Sequence, residues 1–185
     1  MITARAIKAP QLVHPFATRP ITHAFHDIDG THSLIRDWPP VMSAVLHDVI
    51  QNGLPEDFDS PENARRLIGR SGAAALTETD RFCVESAGLS ALTQMEWAIR
   101  RAIEEGSVAV ACDRRLNAEK VQSIWRGQEL FDGQDDAPAL KALLADMTPR
   151  LFKLYERVLN GYCRDRNLAL ARKDPRRFLV PGSRK

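Results

Sequence analysis

The chain has 185 residues, 44% of them hydrophobic and 27% charged, with 26 Lys plus Arg against 24 Asp plus Glu for a formal charge of +2. Such a length suits one domain, and the composition excludes a disordered or collagen-like chain while permitting a sizeable buried core. The near balance of charge selects neither nucleic acid nor a membrane surface as an obligatory partner.

The first residues lack the continuous apolar core of a secretory signal, and no segment approaches the roughly 20 apolar residues of a membrane span, so a cytoplasmic location is expected. Cys83, Cys112 and Cys163 are odd in number and widely spaced, which suits reduced thiols better than a zinc site. Segment 164–185 carries eight basic and two acidic residues. Basic residues near a helix C-terminus favour a solvated helix end over a phosphate-binding tail.

In chain order, residues 1–20 contain Pro10, Pro15 and Pro20, which disfavour a long helix or a central strand and suggest an extended leader. Residues 21–26 are partly β-branched and aromatic and read as one strand, stopped by the turn composition of Asp27-Ile28-Asp29-Gly30. Val41, Met42, Val45, Leu46, Val49 and Ile50 form a helical stripe ended by Gly53. Ser60 before Pro61 marks a capped helix start that carries Leu67 and Ile68 inward, with Gly69 and Gly72 as breaks or bends. Helical patterns continue over 73–85 and 90–105, the second closed by Gly106 with Arg100 and Arg101 near its end. Residues 108–112 read as a strand, a buried connector or a helix start.

Asn117 has the composition of a cap for a helix presenting Val121, Ile124 and Trp125 before Gly127. A short helix over 137–145 takes its cap from the Asp135-Asp136 pair, and Thr148-Pro149 restarts a long helix lined by Leu151, Leu154, Tyr155, Val158, Leu159 and Tyr162. Trp97 and Trp125 sit on apolar helix faces and are expected in the core. About six helices and one strand result. A lone strand would leave its backbone polar groups unpaired, so something must supply neighbours or the segment is no strand.

Asp27 and Asp29 lie two residues apart just after that strand. Paired carboxylates there can hold Mg²⁺, one can attack phosphorus, and the other can relay a proton. Asp, Gly and Thr are also ordinary turn residues, and the spacing alone leaves both readings open. His23, His26 and His32 do not follow a helical metal-site spacing, and His32 is the one best placed to face a ligand. Arg36 and Trp38 follow closely, as substrate contacts or as helix packing.

The run Asp27-Ile28-Asp29-Gly30-Thr31 after a short apolar strand resembles the nucleophile motif of the haloacid dehalogenase superfamily. The stretch from Phe25 through Ser33-Leu34-Ile35-Arg36 and Trp38 to Met42 is similar to the phosphoglycolate-phosphatase-like branch, in which a helical cap follows. The stretch Asp174-Pro175-Arg176-Arg177-Phe178-Leu179-Val180-Pro181-Gly182 resembles the segment where that cap returns to the core.

The resemblance implies a mainly α chain: a helical cap-type bundle with one N-terminal strand, a partial α/β hydrolase fold of this superfamily. Its divisions are a leader over 1–20, core strand and nucleophile loop over 21–36, a helical cap over 37–175 and a return segment over 176–185. It further implies a Mg²⁺-dependent phosphatase for a small phosphorylated metabolite. Asp27 would be the nucleophile and Asp29 the general acid/base. The side chain of Asp27 and the backbone carbonyl of Asp29 would hold the metal, and Gly30 and Thr31 would contact the phosphoryl group. His32 departs from the family's usual aliphatic residue. The family's later phosphate-holding Ser or Thr, its neutralising Lys or Arg and its further metal acids have no matching position before Lys185. The alternative is therefore a catalytically incomplete helical binding or interaction module that keeps the loop, and a third reading has a partner chain pairing with strand 21–26 to complete the sheet.

Overall fold

A computed structural model describes residues 38–128, 135–174 and Arg176. The chain is mainly α, with six helices in this part: α1 (Trp38–Asn52), α2 (Pro61–Arg70), α3 (Thr77–Glu85), α4 (Ala91–Glu105), α5 (Arg114–Trp125) and α6 (Pro138–Lys173). The strand expected over 21–26 lies outside the described residues. Among them there is no strand, only an isolated bridge between Ala87 and Leu89.

Helix α1 is the hub, packed against α2, α3, α4 and α6. Its apolar residues run almost all round its axis, and Val41, Met42, Val45, Leu46, Val49 and Ile50 are all buried. A helix apolar on most sides is stable only inside a bundle. Gly53, at φ +71°, ends it as expected. The hydroxyl of Ser107, just beyond α4, donates to the carbonyl of Ile50 at 2.7 Å and satisfies an acceptor that α1 leaves unpaired at its end.

Helices α2 and α4 begin as the sequence predicts. The side-chain oxygens of Ser60 and Ser90 accept from the backbone N–H of Asn63 and Thr93, and Gly106 closes α4 in the left-handed conformation. Helix α2 runs through Gly69 to Arg70.

Three expectations are corrected. Helix α3 starts at Thr77 rather than Ala73, because Gly72 turns at φ +71° and the Asp80 carboxylate accepts from the Leu76 N–H, fixing the start there. Of the three readings left open for residues 108–112, the structure gives the connector, with the Val108 N–H taken by the carbonyl of Ala102. Helix α5 is capped by Asp113, which accepts from Arg115 and Leu116. Asn117 is instead buried inside it, and its amide donates to the carbonyl of Arg100.

The third correction is the largest. The two helices predicted over 137–145 and from Thr148 onward are one 36-residue helix with Pro149 inside it. Proline removes one backbone hydrogen bond, but Leu140, Met147, Leu151, Leu154 and Val158 are all buried, and packing against α1, α2 and α4 carries the helix through.

Trp97 is fully buried and stacks on Phe82 at 3.7 Å, with Trp125 against both rings. This aromatic cluster joins α3, α4 and α5, as the apolar-face reading of both tryptophans required. Trp38 packs against the core at the head of α1.

Candidate functional site

The sequence-predicted site residues Asp27, Asp29, Gly30, Thr31 and His32, with Arg36, lie outside the described residues. Trp38 is the first described residue of that neighbourhood. What the structure gives is the helical body that follows the loop and the polar groups built into it.

The head of α1 is flanked by two cavities. One, of about 270 Å³, is lined by Trp38, Met42, Leu89, Gln94, Tyr155 and Leu159. The Gln94 side chain in its wall is engaged, its amide donating to the Ser86 hydroxyl at 2.8 Å. The other, of about 370 Å³, lies beside Pro39 and Pro40 and reaches Leu76, Asp80 and Val84.

At the second cavity the Ser43 hydroxyl is hydrogen-bonded to Thr79 at 2.7 Å and donates to one oxygen of Asp80. The other Asp80 oxygen accepts from the Leu76 N–H at 2.7 Å. Ser43 is buried on α1 and Thr79 is buried on α3, so this polar group is fixed by the packing of the two helices. Burial pushes the neighbouring Cys83 thiol up to about 12, and the Asp80 carboxylate adds to that shift.

A second polar group is largely internal. Arg100, fully buried on α4, donates to Asp136 at 2.6 Å, to Asn117 at 3.2 Å and to Glu96 at 2.8 Å, and Lys120 lies 2.9 Å from Asp136. Asp136 is thus not the cap of the following helix. That N-cap position is Ala137, which makes no side-chain bond. Burial works against the Asp136 charge, but hydrogen bonds from Arg100 and Lys120 hold its carboxyl below the usual range.

A third group lies half open on α1 and α2. Arg66 grips Asp48 with two bonds of 2.6 Å, and Arg70 approaches the same carboxylate at 3.3 Å.

These carboxylates do not fit a magnesium shell. Asp48 is committed to Arg66 and Arg70, Asp136 to Arg100 and Lys120, and Asp59 to Lys153 and Arg157. Among the described residues no three His, Cys, Asp or Glu side chains converge as a metal site. Asp27 and Asp29, the residues from which a Mg²⁺ site is expected, lie outside the described residues.

Sequence reasoning missed the Ser43–Asp80 group and the burial of Asp136. The one available signal for Arg100 was Glu96 four residues before it on the same helix face. No signal announced the other contacts, of which Ser43–Thr79 and Arg100–Asp136 each join residues 36 positions apart and Arg100–Asn117 residues 17 apart. No family model matches the chain, and no curated protein or solved structure matches it. No described helix is long and apolar enough to cross a membrane.

Proposed function

We propose that the chain is a phosphomonoester hydrolase of the haloacid dehalogenase type, in which the loop Asp27–Thr31 carries the chemistry and the helical body serves as its cap. The observation that carries this reading is the sequence Asp27-Ile28-Asp29-Gly30-Thr31 after a short apolar segment, with a long helical region starting at Trp38. A mainly helical body after the loop is compatible with a cap and is not specific to one.

The Asp27 carboxylate attacks phosphorus, forming a bond to it as the ester oxygen leaves. Asp29 gives that oxygen its proton, then takes one from the water that hydrolyses the aspartyl-phosphate. Gly30 lets the backbone turn closely, and the Thr31 hydroxyl donates to a phosphoryl oxygen. The Asp27 carboxylate and the backbone carbonyl of Asp29 would hold Mg²⁺, which would supply charge neutralisation for the transferring phosphoryl group. The substrate is a small phosphorylated metabolite.

The test is hydrolysis of a generic aryl phosphate with Mg²⁺ by the full chain. Asp27→Asn should abolish turnover, falling by at least about 10³-fold, while helix content and thermal midpoint stay unchanged. Activity that survives this substitution sinks the mechanism.

A second reading is kept because the family's neutralising Lys or Arg and further metal acids have no matching position in the sequence: a helical binding module that retains the loop. No turnover by the folded wild-type chain with Mg²⁺ would favour it.

A further inference from the structure

The described aspartates that are part or wholly buried are neutralised, with one exception. Asp48, Asp59 and Asp136 each face two cations. Among the described residues Asp80 is held by neutral donors, the Ser43 hydroxyl and the Leu76 N–H, and no described cation pairs with it. Each carboxylate oxygen has more than one acceptor position, so one hydrogen bond apiece leaves capacity for a further donor.

The surroundings of Asp80 are apolar. It lines the cavity of about 370 Å³ together with Pro39, Pro40, Ala75, Leu76 and Val84. Val84 is 73% exposed, the most open of the large hydrophobic side chains among the described residues, and stands one helical turn after Asp80 on α3. A volume of this size lies in the range of small-ligand pockets, and a single charge in apolar walls orients a ligand of opposite charge.

We propose that this groove beside the first turn of α1 binds a small organic ammonium ion, with Asp80 as counter-ion and the proline, alanine, leucine and valine side chains around its hydrocarbon part. Charge complementarity carries the choice of ligand: a neutral apolar molecule leaves the carboxylate unpaired, and an anion is repelled by it. The proposal is independent of the phosphohydrolase reading, since none of its residues belongs to the loop.

The experiment titrates the full-length protein with n-hexylammonium and with hexan-1-ol, following amide chemical shifts. The ammonium ion should bind roughly tenfold or more tightly than the alcohol, as expected when a charged group donates to a carboxylate. Asp80→Asn keeps a side chain able to accept from Leu76 and should bring the two affinities together. Ala75→Phe, which leaves Asp80 in place and fills the groove from an exposed position, should abolish ammonium binding in a protein with unchanged helix content. It also serves should Asp80→Asn fail to fold. Equal binding of both probes, no binding of either, or retention of ammonium binding by Ala75→Phe overturns the proposal. So does occupation of the groove by a lysine-bearing peptide in preference to hexylammonium, or by a second copy of the chain, seen as a doubling of mass with concentration.

Discussion

Asp136 gains its place from two cations that come from different helices. Taking a carboxylate out of water is costly, and Arg100 and Lys120 offset that cost only while the carboxyl is ionised. Because its folded pKa lies below the unfolded value, the pairing stabilises the protein above about pH 4 and the contribution is lost as pH falls through the folded pKa. Asp136→Asn should lower the free energy of unfolding by about 3 kcal/mol at pH 7. It should also flatten the fall in stability below about pH 4, as read from urea titrations from pH 7 to pH 2.

Glycine supplies a second comparison at this scale. Gly106, at φ +81°, has open space where a Cβ would stand, so Gly106→Ala should cost only the left-handed backbone, about 1 kcal/mol. Gly53, at φ +71°, would put its Cβ 2.9 Å from the Ser107 carbonyl oxygen, and a backbone oxygen cannot rotate away. Gly53→Ala should therefore destabilise by more than Gly106→Ala, and loss of the Ser107 bond to the end of α1 would add to it. Equal costs in urea unfolding would show that the Gly53 turn is looser than this contact implies.

Among the elements, α6 carries the clearest conflict between local preference and packing. Thr148-Pro149 has the form of a helix start, yet the chain is already helical from Pro138. Burial of Met147 and Leu151 on either side of the proline fixes one axis through it. Pro149 itself is exposed, so Pro149→Ala removes no core contact and restores the backbone donor to the carbonyl four residues before. The substitution should raise stability by about 1–3 kcal/mol, measured by thermal and urea unfolding followed by circular dichroism. A loss of stability would mean that the proline sets a bend on which the contacts with α1, α2 and α4 depend.

The capped helices behave differently, because Ser60 and Ser90 satisfy N–H groups within three residues of themselves. The start of α2 was legible for that reason, and that of α4 from its helical pattern. Asn117 also had the form of a cap, but Asp113 lies four residues earlier and its carboxylate takes two N–H groups, which moves the start of α5 back and leaves Asn117 free to bond Arg100.

For the whole molecule, α1 and the aromatic cluster tie the elements into one core. Phe82, Trp97 and Trp125 link α3, α4 and α5, while α6 closes over α1, α2 and α4. With the helices sharing one core, tryptophan fluorescence and far-ultraviolet ellipticity should trace a single coincident urea transition. Two separated transitions would show that part of the bundle opens independently.

The helical class and the apolar faces of α1, α2 and α4 were settled by the sequence, because periodicity and capping act over three or four residues. The Asp27–Thr31 motif was likewise visible there, as a pattern of neighbouring residues. Only tertiary structure decided that Asp136 pairs with Arg100, that Asp80 faces an apolar groove, and that α6 passes through Pro149. Those outcomes depend on side chains distant in sequence competing for the same space and charge, and local preference carries no information about that competition.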